Sequence, residues 1–255
     1  GVVFYVVFFS IRNLLPQRHH QHTQKPNTNH IHIMIQFKLV LLGDSSVGKS
    51  SIVTRFVKDQ FDENKESTIG AAFLSQTIKL VDNQENPDSP EEVPIKFEIW
   101  DTAGQERYKA LAPMYYRNSN AAIIVYDITD DKSLSKAIKW VNELKERLPT
   151  DLNDPNRCII SLVGNKLDLV GDDESNRKIS TQEARDFSID NGLLFHEVSA
   201  KNNIGIKDIF QELGETLYNQ HKEKQKSKSM GRADSSKGNI ELNRPSTNDS
   251  TSCCN

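Results

Sequence analysis

The 255-residue chain has only three cysteines, and no apolar run approaches the roughly 20 residues that a membrane-crossing helix needs. So few cysteines cannot build a disulfide framework, which excludes the stapled secreted mini-proteins and favours a reducing compartment. The lack of long apolar runs excludes a polytopic membrane protein. Hydrophobic residues at 36% with 26% charged suffice for a globular core, and the length fits one domain with appendages or two small ones. The net charge of -3 is unevenly spread. Residues 1–33 carry Arg12, Arg18 and Lys25 and no acid. Residues 222–255 carry Lys222, Lys224, Lys226, Lys228, Arg232, Lys237 and Arg244 against Glu223, Asp234, Glu241 and Asp249. The middle is therefore acidic and lacks the basic face that nucleic-acid binding requires.

The two ends differ from the middle. Gly1 to Phe9 is apolar, but no base precedes it, it is about half a spanning length, and no small-residue cleavage site follows. The first methionine is Met34, followed at once by a strand-like run, so Met34 is the expected start of the functional protein and residues 1–33 an extension outside it. Residues 222–252, rich in Lys, Ser, Asn and Gly, are expected to form a flexible tether with a reach of about 30 Å. The tether ends in Cys253 and Cys254. A four-residue prenylation box would need cysteine where Ser252 stands, which leaves a double-cysteine prenylation signal. Cys158, beside Ile159 and Ile160, reads as a small buried apolar residue.

From Met34 to His221 short apolar runs alternate with helical patterns, which predicts an α/β fold, a six-stranded, mostly parallel sheet flanked by helices. Five runs are near-continuously apolar, as for strands covered on both faces: 37–42, 95–100, 121–126, 158–163 and 193–198. A sixth, 73–80, alternates and is expected at an edge. Leu134, Ala137, Ile138, Val141, Leu144 and Leu148 form one helical stripe, and Ile206, Ile209, Phe210, Leu213 and Leu217 another. Asp82 to Pro94, with five acids and three prolines, is expected to be an extended acidic hairpin loop.

Directly after the first strand, Gly43-Asp44-Ser45-Ser46-Val47-Gly48-Lys49-Ser50 fits G-x-x-x-x-G-K-[ST]. Its glycines let backbone N–H groups turn onto phosphates, Lys49 reaches the outer phosphates, and Ser50 offers a hydroxyl to Mg²⁺. Residues Ser45 to Ser51 are the expected phosphate cradle. The strand beside it ends in Trp100-Asp101-Thr102-Ala103-Gly104-Gln105. Asp101 is placed for the carboxylate of a Mg²⁺ site, Gly104 for close approach to a γ-phosphate, and Gln105 for orienting the attacking water, as the catalytic residue. After later strands come Asn165-Lys166-Leu167-Asp168 and Ser199-Ala200-Lys201. A carboxylate at Asp168 accepts from guanine N1–H and its 2-amino group, which adenine cannot match, so guanine is favoured by on the order of 10³-fold. Asn165 is expected on the purine edge, Lys166 over the ring, and the Ala200 N–H at O6.

These motifs together resemble a Ras-superfamily small GTPase of the Rab/Ypt branch, over Met34 to about Tyr218. Glu66 to Phe73 (ESTIGAAF) and Ala112 to Arg117 (APMYYR) resemble the early-endosomal subfamily, and Arg244 to Asp249 (RPSTND) its fungal members. The resemblance implies a single P-loop GTPase domain over 34–221, a GTP/GDP switch with Mg²⁺, and the hydroxyl of Thr68 on that ion with its N–H on the γ-phosphate. It implies that Phe73, Trp100 and Tyr115, with Ile69, Gly70 and Ala71, contact effectors. It also implies an exchange factor, a GTPase-activating protein, a dissociation inhibitor or escort protein, and a monomer cycling between cytosol and the cytoplasmic face of endosomal membranes. No arginine lies near Thr68 to act in cis, so slow turnover without an activator is expected. Ser45 and Ser46 are expected to crowd the γ-phosphate. The competing readings are a P-loop ATPase, a catalytically inert nucleotide-binding scaffold, a GTPase that never meets membrane, and a GTPase of another traffic step.

Overall fold

The computed structural model describes residues 34–64, 66–82, 91–171 and 174–234. The extension over 1–33 and the cysteine pair Cys253 and Cys254 lie outside the described residues. Six strands, β1 (Ile35–Leu42), β2 (Ala71–Asp82), β3 (Glu91–Thr102), β4 (Ala121–Asp127), β5 (Ile159–Asn165) and β6 (Leu194–Glu197), form one sheet in the order β2-β3-β1-β4-β5-β6. All neighbours are parallel except β2 and β3. The helices are α1 (Lys49–Lys58), α2 (Ala112–Tyr116), α3 (Ser133–Arg147), α4 (Thr181–Asn191) and α5 (Ile206–Asp234).

The apolar runs are continuous because each central strand feeds two cores. In β1, Phe37, Leu39 and Leu41 pack with Ile52 and Val53 of α1 and with Ile206, Ile209, Phe210, Leu213 and Leu217 of α5. Val40 and Leu42 turn to the opposite face, against Leu134, Ala137, Val141 and Leu144 of α3 and Ala184 of α4. Both helical stripes read from the sequence are thus core. The strand expected at the edge, β2, is the edge strand, and every second residue from Phe73 to Val81 is exposed while the residues between them are half-buried or, at Leu80, buried.

Two boundaries differ from expectation. Glu91 to Pro94 belong to β3, not to a loop, and pair with β2 from Asp82 to Lys79. The prolines misled because the constraint bites less here: β1 begins to pair only at Ile95, so Pro94 has no β1 partner to lose. The rest of the expected hairpin, 83–90, lies outside the described residues. At the other end α5 continues past His221 to Asp234, into the segment expected to be a flexible tether. That stretch is polar but rich in Lys, Glu and Gln, good helix formers that extend a helix already anchored by its core face. Two contacts fasten it. Asp82 accepts from the Tyr218 hydroxyl at 2.8 Å and from Lys222 Nζ at 2.9 Å, which ties the end of β2 to α5.

Candidate nucleotide-binding site

The functional motifs follow the carboxyl ends of β1, β3, β5 and β6, on one rim of the sheet, where open α/β sheets bind ligands. The first loop turns sharply so that α1 can start at Lys49. Gly48 makes the turn with φ +95°, and a Cβ there would collide with the Asn165 amide. Lys49 is buried, its Nζ donating to the carbonyls of Gly43 at 2.9 Å and Asp44 at 2.7 Å. Burial lowers its pKa to about 8, opposed by Asp101 and Asp44. Burial of the Asp44 carboxyl would raise its pKa, but the bond and charge of Lys136 on α3 outweigh that and hold it below the ordinary value. This pair clips the phosphate loop to α3. Ser45 and Ser46 are exposed, Ser46 in the left-handed region at φ +62°, and both line the cleft. The Val47 side chain is in the core, so towards a ligand this residue offers its backbone N–H alone.

That cleft, about 270 Å³, is bounded by Ser45, Ser46, Gly48 to Ser51, Thr68, Gly104 and Gln105, with Phe61 to Glu63 on its far side. The Ser50 and Thr68 hydroxyls meet at 2.8 Å, although eighteen positions separate them. Ala103 N–H donates to the Gly70 carbonyl at 2.8 Å, joining the segment that carries Thr68 to the one that carries Gln105. Gly104 lies flat on the phosphate loop: an added Cβ would come within 2.5 Å of the Asp44 and Ser45 backbone. Asp101 is buried at the end of β3, close enough to Lys49 to favour its charged form. Two hydroxyls and one carboxylate beside a lysine are hard oxygen donors suited to Mg²⁺. Among the described residues no cluster of three or more His, Cys, Asp or Glu could hold a metal instead.

The residues expected at the base form a second cluster, outside the lining of that cleft and tied to it. Asn165 spends its amide internally: Nδ2 donates to the Val47 carbonyl at 2.9 Å, and Oδ1 accepts from the Ala200 N–H at 3.2 Å. It therefore fastens the phosphate loop to the loop after β6. Ser199 is fully buried, and its hydroxyl donates to Asp168 at 2.6 Å while accepting from the Asn202 N–H at 2.9 Å. Ser199 thus orients Asp168 and can reach a nucleotide only through it. Lys166, at φ +75°, pairs with Asp127 at 2.7 Å. Lys201 pairs with Glu63 at 2.5 Å across the cleft mouth. Sequence reasoning missed Asp127, whose carboxylate also accepts from Thr129 N–H and Oγ. The signal was available, since Asp127 is the last residue of the buried strand β4 as Asp101 is the last but one of β3.

A match to the model described as "Ras family" spans residues 38–219, from β1 well into α5. The chain belongs to the Ras family, in its Rab/Ypt branch. This Rab/Ypt chain is 55% identical over 240 residues to GTP-binding protein YPT52 of Saccharomyces cerevisiae, covering 87% of this chain and all of the relative. Against Ras-related protein Rab-5A of Dictyostelium discoideum the identity is 50% over 184 residues, 72% of this chain and 82% of the relative. GTP-binding protein ypt5 of Schizosaccharomyces pombe is 45% identical over 221 residues, 87% and 94% of the two chains. This Rab/Ypt GTPase binds GTP and GDP.

The aromatic trio adjoins the same rim. Trp100 lies 5.3 Å from Phe73 and 5.7 Å from Tyr115 between ring centres. Around it Ile69, Phe73 and Met114 are 77%, 55% and 71% exposed, an apolar surface that a solvated core would not leave open. Met114, beyond the expected set, extends it.

Proposed function

We propose that this GTPase is a molecular switch of endosomal membrane traffic, regulating vesicle docking and fusion. In this reading Ser45 to Ser51 cradle the phosphates, Ser50, Thr68 and Asp101 hold Mg²⁺, and Asp168 reads guanine with Lys166 and the Ala200 N–H. The observation that carries it is the 2.8 Å meeting of Ser50 and Thr68. Thr68 sits on the loop between α1 and β2, and a bound γ-phosphate and metal would hold that loop closed, whereas hydrolysis removes the ligand that favours closure. Mg²⁺, when bound, neutralises charge developing on the phosphates. Lys49 adds a fixed positive charge from its buried position, and Gln105, at the edge of the cleft, orients the attacking water. Gln105 precedes a turn of 3₁₀ helix, Glu106–Leu111, whose first N–H to reach back is that of Tyr108, bonded to the Gln105 carbonyl at 2.9 Å. Its backbone is thereby held while its side chain stays free to turn towards the cleft.

The closed loop also builds the surface of Ile69, Gly70, Ala71, Phe73, Trp100 and Tyr115, so effectors would read the nucleotide state there. An exchange factor and an activating protein set the rates, and a dissociation inhibitor or escort protein shields lipid on Cys253 and Cys254. Two prenyl chains give the stable anchoring that one does not, on the cytoplasmic face of endosomal membranes. Single-turnover hydrolysis tests the switch. GTP should be cleaved slowly, ATP should not compete at equal concentration, and Gln105→Leu should slow cleavage. Equal competition by ATP, or no cleavage by the wild type, would contradict the reading.

A further inference from the structure

Arg55 lies in the last turn of α1 with its side chain only 14% exposed, and its ion pair with the exposed Asp59 occupies one of its three nitrogens. Its Nε donates to the Ala200 carbonyl at 3.0 Å and Nη2 to the Lys201 carbonyl at 2.9 Å. Nη1 donates to the Asp59 carbonyl at 2.9 Å and to its carboxylate at 3.3 Å. The same carboxylate oxygen accepts from Asn203 Nδ2 at 3.0 Å, so Asp59 is joined to the loop from the other side. The loop is short, closed by the paired backbone bonds of Ser199 and Ile204. The Ala200 N–H, on the preceding peptide unit, donates to Asn165 Oδ1 at 3.2 Å, a long bond that a purine oxo group beside it would share. Helix α1 starts at the phosphate loop and ends at this guanidinium, so one rigid element of ten residues, about 15 Å long, connects the two ends of the nucleotide cleft.

We propose that Arg55 is a positioning residue for guanine recognition: it fixes the Ser199-Ala200-Lys201 loop so that the Ala200 N–H meets the purine 6-oxo group. The proposal rests on the reading that Asp168 and Ala200 face the guanine edge. A planar fork that bonds two successive carbonyls is something lysine cannot reproduce, which makes arginine specific here. Loss of the fork frees the loop, shortens the residence of the nucleotide, and weakens selection at the 6-position. Selection at the 2-amino group, made by Asp168, persists because Ser199, fully buried and paired through its backbone with Ile204, is held without Arg55 and its Oγ still fixes that carboxylate.

The test measures release of fluorescent GDP, and competition by GDP, 6-thio-GDP and inosine diphosphate, for wild type, Arg55→Met and Arg55→Lys. Arg55→Met should release GDP about tenfold faster, the scale of one charge-assisted hydrogen bond. Its preference for GDP over 6-thio-GDP, whose sulfur accepts weakly, should shrink, while its preference over inosine diphosphate stays. Arg55→Lys should fall between. The ratios do not depend on the fraction of folded protein, so a destabilised variant still reports. An unchanged preference over 6-thio-GDP in Arg55→Met would overturn the proposal. Asp168→Asn is the control for the underlying reading and should gain xanthosine diphosphate binding. If it gains it while the Arg55 ratios stay put, this inference alone falls; if it does not, the guanine-edge reading falls and the inference with it.

Discussion

Lys49 shows how a single residue is shaped for a polyanion. Buried with two carbonyl acceptors, its ammonium has a pKa near 8 without ligand, and phosphate charge beside it would raise that value. Below about pH 8 the group is protonated both free and bound, so binding moves no proton. Above it the free site has lost the proton, and binding must take one up. Calorimetry of GDP binding in buffers of different ionisation enthalpy should therefore find proton uptake at pH 9 and almost none at pH 7, with affinity falling as pH rises. The linkage for folding has the opposite slope: an unfolded lysine holds its proton to higher pH, so the nucleotide-free fold gains stability as pH rises from about 8 to 10.5. Asn165 makes a second case. Removing its side chain orphans the Val47 carbonyl and unties the phosphate loop from the loop that carries Ala200, so Asn165→Ala should release GDP about 100-fold faster, roughly 3 kcal/mol, in a fluorescent-nucleotide assay. The phosphate residues were legible in the sequence because their order and spacing are chemical requirements. The internal duty of Asn165, the burial of Ser199 and the roles of Asp127 and Arg55 were not, because each depends on a partner far away in the chain.

At the scale of elements, the strands and the two helical stripes could be read because burial on both sheet faces writes itself as unbroken apolar runs. Two segments differ from the sequence pattern for separate reasons: Glu91 to Pro94 pairs with β2 alone, and the far end of α5 extends a helix anchored further back. The contact between Asp82 and α5 was not legible either, for neither the charge run nor the acidic hairpin announces that they meet. The Asp82 and Lys222 side chains are 8% and 14% exposed, so this ion pair is largely shielded from water. Replacing the charge while keeping the shape isolates its worth. Asp82→Asn should lower stability to denaturant by about 2 kcal/mol and speed amide exchange over 218–227, while leaving GDP release unchanged. Unaltered exchange in that stretch would mean that the helix extension stands on its own propensity.

On the scale of the whole molecule, the site depends on what the sheet brings to one rim. The sheet fixes four loops on one rim, α1 runs from the loop after β1 to the loop that carries Ala200, and the loops that carry Thr68 and Gln105 touch each other through Ala103 and Gly70. A change at the γ-phosphate therefore has a short path to the exposed apolar surface at Ile69, Phe73 and Met114. No helix among the described residues is long and apolar enough to cross a membrane. If GTP closes the Thr68 and Gln105 segments together, hydrogen exchange over 59–73 and 103–116 should show strong protection of both with a non-hydrolysable GTP analogue and its joint loss with GDP. Equal protection in the two states would contradict it.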